Sequence, residues 1–230
     1  MVKPLCILVG CGPGLGLSLV RRFHVGGFKV AAISRDERRC QSVLSRVGGS
    51  PAGLKALAAD AGDAAALNDA LDRAVAWGAV QPNVVIYNAA AMSETKASGL
   101  GPSLFDDLKV TVGGAVTLAT FAAKAMKQAG EGTILFTGGG LSLEPHPDWA
   151  ALGMGKAALR NYAYSLHREL REAGVNVCIV TVCGIIKPDS DFDPDKIAEV
   201  YWGARAAPSD SWREEIVYMP GGDRFYNRAG

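Results

Sequence analysis

The stretch Leu5-Cys6-Ile7-Leu8-Val9-Gly10-Cys11-Gly12-Pro13-Gly14-Leu15-Gly16 decides how this chain is read. An apolar strand ends, the backbone reverses, and a helix begins with its free amides facing outward. Residues without a Cβ are needed where such a chain turns and where a pyrophosphate must come close. Gly10, Gly14 and Gly16 supply those positions, with Gly12, Pro13 and Leu15 between them. The spacing is Gly-x-x-x-Gly-x-Gly. The alternative Gly-x-Gly-x-x-Gly form does not fit, because Leu15 and Leu17 stand where its third glycine belongs. With a strand before it and a helix after it, the run reads as a dinucleotide-binding turn rather than a glycine-rich turn without a ligand.

Composition narrows the rest. The 230 residues fit one domain over 1–230, 49% of them are hydrophobic, and the formal net charge is +1. No charge field favours nucleic acid, and no apolar run reaches the roughly 18 residues of a membrane span. The expected partner is a small-molecule substrate, with neither nucleic acid nor membrane. No secretory leader is evident after Lys3, so the expected location is cytoplasmic. Five cysteines (Cys6, Cys11, Cys40, Cys178, Cys183) are odd in number and contain no Cys-x-x-Cys pair, which reads as buried, reduced thiols and no metal site.

Working outward from the turn, apolar runs rich in β-branched residues alternate with helical patterns. Strands are expected at 5–9, 28–34, 54–59, 83–88, 132–137, 175–182 and 215–219. Helices are expected at 14–25, 36–47, 63–77, 103–129, 149–173 and 194–206. Such alternation predicts an α/β fold: a single-domain, doubly wound, seven-stranded parallel sheet with helices on both faces and ligands at the carboxyl ends of the strands. The stretch 187–195, with four aspartates and two prolines, reads as a loop over the site.

An acid holding the adenosine ribose belongs at the end of the second strand, about twenty residues past the glycines. Ser34-Arg35 stands there instead. A guanidinium grips a phosphate with two hydrogen bonds and stacks on adenine, so the expected cofactor is NADP(H), with NAD(H) the lesser alternative. Arg35 as a solvated residue, with Asp36 as its partner or as the ribose ligand, is the competing account. Asp60, before Ala61, is placed either to accept from the adenine amino group or to cap the helix near Asp63. Asn88-Ala89-Ala90-Ala91 puts small residues at the end of the fourth strand, where backbone can approach a ribose or simply pack.

Gly10, Gly14, Gly16, Asp60, Asn88-Ala89-Ala90 and Gly155-Lys156-Ala157-Ala158-Leu159 together resemble the short-chain dehydrogenase/reductases, and Met219-Pro220-Gly221-Gly222 is similar to the segment that closes their sheet. The resemblance covers nearly the whole chain and implies a Rossmann-type sheet, hydride transfer between nicotinamide and a carbonyl or alcohol, and a homodimer or homotetramer formed through the two long helices. It also implies a Tyr-x-x-x-Lys pair on one helix face, and here that pair is Leu152-x-x-x-Lys156. Gly139 stands at the family's Ser, Thr111 at its Asn, Cys183-Gly184 at its Pro-Gly, and Pro188 where a Thr often touches the carboxamide. By the same resemblance Gly184 and Ile186 fall on the cofactor side, and Lys156 holds the nicotinamide ribose.

Leucine has no ionisable proton and glycine no hydroxyl, so cofactor-side residues are kept while substrate-side ones are lost. Two functions follow: an oxidoreductase acting on a substrate that needs little acid help, such as an iminium or an activated enone, or a non-catalytic NADP(H)-binding sensor or partner-supporting protein. His146, between two prolines, is a candidate stand-in acid or an exposed loop residue. His24 and His167 read as helix-surface residues, Tyr162 and Tyr164 as packing, and Cys183 as a buried neutral thiol. Tyr201, Trp202 and Trp212 read as a subunit contact or a substrate wall.

Overall fold

The computed structural model describes residues 3–48 and 51–221. At its centre lie seven parallel strands: β1 (Leu5–Val9), β2 (Lys29–Ser34), β3 (Leu54–Ala58), β4 (Pro82–Tyr87), β5 (Gly132–Gly139), β6 (Val175–Val182) and β7 (Glu215–Tyr218). Their spatial order is β3-β2-β1-β4-β5-β6-β7. Successive side chains on a strand point to opposite faces, and here both faces are covered. Leu5, Ile7 and Val9 enter one core while Cys6 and Leu8 enter the other, and β2, β4, β5 and β6 divide in the same way. That is why the strands stand out in the sequence as apolar runs instead of alternations.

The helices α1 (Leu15–Val25), α2 (Glu37–Leu44) and α7 (Pro194–Ala206) cover one face, and α3 (Ala64–Gly78), α5 (Gly114–Ala129) and α6 (Ala150–Leu170) the other. The short α4 (Ser103–Leu108) precedes α5. This is the expected doubly wound α/β sheet of Rossmann type. Because β1 pairs with β2 on one side and β4 on the other, the winding reverses there and a crevice opens beyond the carboxyl ends of β1 and β4.

Several expectations are corrected. The single helix expected over 103–129 is divided by a π-helical turn at Lys109–Gly113. The widened turn lets the Tyr87 hydroxyl donate to the Val110 carbonyl, and it presents the Thr111 hydroxyl to the Ala91 N–H at 3.1 Å. The loop expected to run to residue 195 stops sooner, since α7 starts at Pro194 with Asp193 as its cap. That loop is pinned by its own bonds, Ser190 Oγ to Lys187 O at 2.7 Å and Lys187 N to Phe192 O at 3.2 Å.

His167 is not on the surface. It is buried, with Nδ1 2.7 Å from the Val177 carbonyl. Tyr201 is fully buried, and Trp202 packs edge-on against Phe23 and Phe28 with the Arg22 guanidinium 4.0 Å from its ring centre. Trp202 thus helps seat α7 against α1, while the Tyr201 hydroxyl reaches Thr137 on β5. Trp212 donates to the Ala207 carbonyl at 3.0 Å. All five cysteines are free and buried, as expected. Gly222 of the closing tetrapeptide lies outside the described residues. Among those described, no helix is long and apolar enough to cross a membrane.

Candidate nucleotide-binding and active site

The glycine turn has one tight side and one open side. Gly10 adopts φ +98°, and a Cβ on it would overlap the Asn88–Ala89 backbone, so only glycine lets β4 end this close. The Gly10 and Cys11 amides both donate to the Ile33 carbonyl, at 3.0 and 3.1 Å, which fixes the turn to β2. A Cβ on Gly16 would come 2.9 Å from the Gly10 carbonyl, so this glycine seats α1 against the turn. Gly12 and Gly14 face open space, with no heavy atom within 4 Å of a Cβ built on either. Pro13 and Gly14 are exposed, Leu15 is buried, and no side chain caps α1. Uncapped first-turn amides beside a Cβ-free cradle fit a pyrophosphate.

At the adenosine side, Arg35 is exposed at the tip of β2 and Ser34 Oγ donates to the Asp36 carbonyl at 2.8 Å. The Asp36 carboxylate accepts from the Arg39 N–H at 3.1 Å as the cap of α2. That bond engages the carboxylate offered above as an alternative ribose ligand. Arg38 and Arg39 are exposed on the first turn of α2 beside Arg35, with Asp36 and Glu37 between them. Their adjacency to Arg35 was visible in the sequence. Asp60 accepts from the Gly62 N–H at 2.8 Å, and the cap of α3 is Asp63, not Asp60. Ala61 is buried beside it.

Asn88 is committed at both ends. Its Nδ2 donates to the Gly10 carbonyl at 2.9 Å, and its Oδ1 accepts from the Thr137 hydroxyl at 2.9 Å. Thr137 Oγ1 in turn accepts from the buried Tyr201 hydroxyl at 2.7 Å. A buried chain therefore joins α7, β5, β4 and the glycine turn. Asn88 shapes the site through this chain, while Ala89 and Ala90 are half-buried at the end of β4. Thr137 was not singled out in the sequence, and Tyr201 was read there as a subunit contact or substrate wall, since nothing in a local pattern links positions on α7 and β5.

The four positions of the resemblance converge. Lys156 is 7% exposed, and its ammonium donates to the Thr137 carbonyl at 2.7 Å. Its aliphatic stem lies 3.7–3.8 Å from where a Cβ on Gly139 would be. Leu152, one turn earlier on the same face of α6, is buried as well. The Thr111 side chain packs against Gly155, where a Cβ would come within 3.0 Å of it. Burial lowers the Lys156 amine to about 8, since desolvation disfavours its charged form.

Other candidates make local contacts. A Cβ on Gly184 would overlap the Phe192 ring, which lies against that glycine, and Ile186 is half-buried in the same core, leaving Ile185 84% exposed. His146 Nδ1 accepts from the Asp148 N–H at 3.2 Å, a local turn-closing bond. The segment after β4 runs beside it, with Thr95 N donating to Asp148 O at 2.8 Å and Ala97 N to Pro147 O at 3.0 Å. Burial pushes the Cys183 thiol up, in keeping with an inert side chain. Tyr162 packs edge-on against Phe136, and Tyr164 joins Arg160 in binding Glu215.

A family model for short chain dehydrogenases matches residues 5–194. The chain belongs to the short-chain dehydrogenase family. It is 25% identical over 183 residues to an oxidoreductase, asL5, of Sarocladium schorii, an alignment that covers 78% of this chain and 71% of that protein. The curated relatives are longer, and the chain spans 58–71% of their length. Among solved structures, a metagenomic short-chain oxidoreductase in complex with NADP superposes with a TM-score of 0.83 at 22% identity, covering 93% of this chain and 96% of that one. A 3-ketoacyl-(acyl-carrier-protein) reductase from Brucella melitensis complexed with NADH does so with a TM-score of 0.83 at 20% identity, covering 95% and 97%. At these identities the structural likeness speaks for the fold.

Proposed function

We propose that this protein is an NADP(H)-dependent oxidoreductase of short-chain dehydrogenase type whose site has neither the tyrosine acid, replaced by Leu152, nor the serine, replaced by Gly139. The observation that carries the reading is the glycine turn, open at Gly12 and Gly14 above an uncapped helix, together with a deeply placed Lys156. The nicotinamide cofactor supplies hydride when bound. The first-turn amides of α1 hold the pyrophosphate, Arg35 with Arg38 and Arg39 favours the 2′-phosphate, and Lys156 anchors the nicotinamide end.

Losing a positioned acid costs about 10² to 10⁴ in rate, whereas orientation alone contributes about 7 to 11 kcal/mol. The substrate is accordingly one that needs little protonation, such as an iminium or an activated enone. A second reading, a protein that binds NADP(H) without turning it over, draws on the same Leu152 and Gly139.

Fluorescence titration with NADPH and NADH tests the cofactor. NADPH is expected to bind more tightly, and Arg35→Ala should remove the difference. Equal affinities in the unaltered protein would overturn the Arg35 assignment. The double variant Leu152→Tyr/Gly139→Ser tests the chemistry, and the new serine Cβ at 139 would meet Lys156 only at ordinary contact distance. It should gain reduction of simple ketones, while the unaltered protein reduces preformed iminium ions. Bound NADPH with no turnover in either protein would favour the second reading.

A further inference from the structure

Three large apolar side chains stand exposed at neighbouring points of the sheet's carboxyl edge. Met92 follows β4, Leu143 follows β5 and Ile185 follows β6, and these three strands lie side by side. Met92 is 69% exposed, Leu143 45% and Ile185 84%. Hydrocarbon left in water forgoes the stabilisation of burial, so its grouping on the rim of one crevice marks a place where something binds.

Each of the three is tied to the positions that converge around Lys156. The residue before Met92, Ala91, donates its N–H to the Thr111 hydroxyl, and the Thr111 side chain packs against Gly155. Leu143 ends the short turn that begins directly after Gly139, and the Leu141 carbonyl of that turn lies 3.5 Å from where a Cβ on Gly153 would be, next to Leu152. Ile185 follows Gly184.

The rim is also held in place. Thr95 pairs with Trp149, its N–H donating to the Asp148 carbonyl at 2.8 Å and its carbonyl accepting from the Ala150 N–H at 3.1 Å, which laces the Met92 segment to the Leu143 segment. On the other side, the Phe192 ring lies against Gly184 and edge-on to Tyr218, and the Tyr218 hydroxyl donates to the Asp191 carbonyl at 2.8 Å. Apolar side chains carried on braced segments lose little freedom when a ligand covers them.

We propose that Met92, Leu143 and Ile185 form an apolar mouth to the site, and that the substrate carries a hydrocarbon body, a ring or an alkyl chain, beside its reacting group and no ionised substituent there. The proposal rests on the placement of the chemistry beside Lys156 given above and names the substrate class for it. Leu152 and Gly139 present hydrocarbon where a hydroxyl would otherwise stand, so the interior matches the rim. The charged residues nearest to the three in sequence, Glu94, Glu144 and Lys187, are exposed and carry both signs, so they offer an ionised substrate no uniform field.

The test is calorimetric titration of the whole protein, with and without NADPH, using the linear ketones from butan-2-one to octan-2-one as probes. Affinity should rise about three- to fourfold for each added methylene, the gain expected of buried CH₂ groups. The anion 4-oxopentanoate, similar in length to hexan-2-one, should bind at least about tenfold more weakly than that ketone, because its carboxylate would be desolvated without a partner. Met92→Ser/Ile185→Ser should flatten the series with the melting temperature kept, and Leu143→Ser gives the same reading should the double variant fail to fold. Val25→Ser, at the far end of α1, alters an equally exposed apolar residue and should leave the series as steep as before. A flat series in the unaltered protein would overturn the proposal, as would an undiminished slope in the rim variants or 4-oxopentanoate binding as tightly as hexan-2-one. Failure of NADPH to bind defeats the cofactor reading instead, and the series measured without it still decides the mouth.

Discussion

Lys156 draws its chemistry from depth. An amine in water titrates near 10.5, and burial brings this one to about 8. The folded chain therefore releases this proton at lower pH than the unfolded chain does. Between pH 8 and 10.5 the unfolded state binds more protons, so this group's contribution makes stability rise with pH through that window and fall again as pH drops toward 8. Lys156→Met should remove that dependence, with urea midpoints showing the variant ahead of the unaltered protein near neutral pH and the gap closing by about 3 kcal/mol toward pH 10.5. The identity of Lys156 and the glycines was legible in the sequence, because their spacing is local. The Thr137 carbonyl that receives the ammonium was not, and neither was the Tyr201 hydroxyl behind it, because both contacts join segments that only the finished sheet brings together.

Among elements, strands and helices were legible nearly throughout, since a strand buried on both faces must be a continuous apolar run and a covering helix must carry an apolar stripe. The π turn was not, because Lys109-Val110-Thr111-Val112-Gly113 keeps a helical pattern and its widening is stabilised from outside, by Tyr87 and Ala91. Gly114 marks the close approach: a Cβ there would overlap the Ala61 carbonyl and the Tyr87 ring, while Gly113 has only the Leu108 carbonyl, at 4.0 Å. Gly114→Ala should destabilise the fold by about 1–3 kcal/mol in thermal melts, as overpacked sites do, and Gly113→Ala should leave the melting temperature close to its starting value. It follows that the segment beside Lys156 is shaped by a neighbour's lack of a side chain.

For the whole molecule, the weakest margin of the sheet is β7, an edge strand four residues long. Besides its backbone pairing with β6, one carboxylate gathers several bonds there. Glu215 accepts from Arg160 at 2.9 and 2.7 Å through two nitrogens, from the Thr181 hydroxyl at 2.6 Å, and from Tyr164. Burial pushes this carboxyl up, but the hydrogen bonds from Arg160, Thr181 and Tyr164 outweigh it and hold Glu215 below its ordinary range. A lowered carboxyl contributes stability above its unfolded value and loses it as pH falls through the folded one. Glu215→Ala should cost about 1–3 kcal/mol at pH 7, discounted for the partly exposed Arg160, and less at pH 4. Urea unfolding at the two pH values checks this.

The hydroxyl chain from Tyr201 through Thr137 and Asn88 to the Gly10 carbonyl has a temporal consequence as well. During synthesis, the first strand and its turn leave the ribosome long before Tyr201 does, so until α7 docks the brace behind the turn is missing its last support. A nascent chain should consequently acquire its grip on nucleotide late, which would keep half-made polypeptides from sequestering the coenzyme pool.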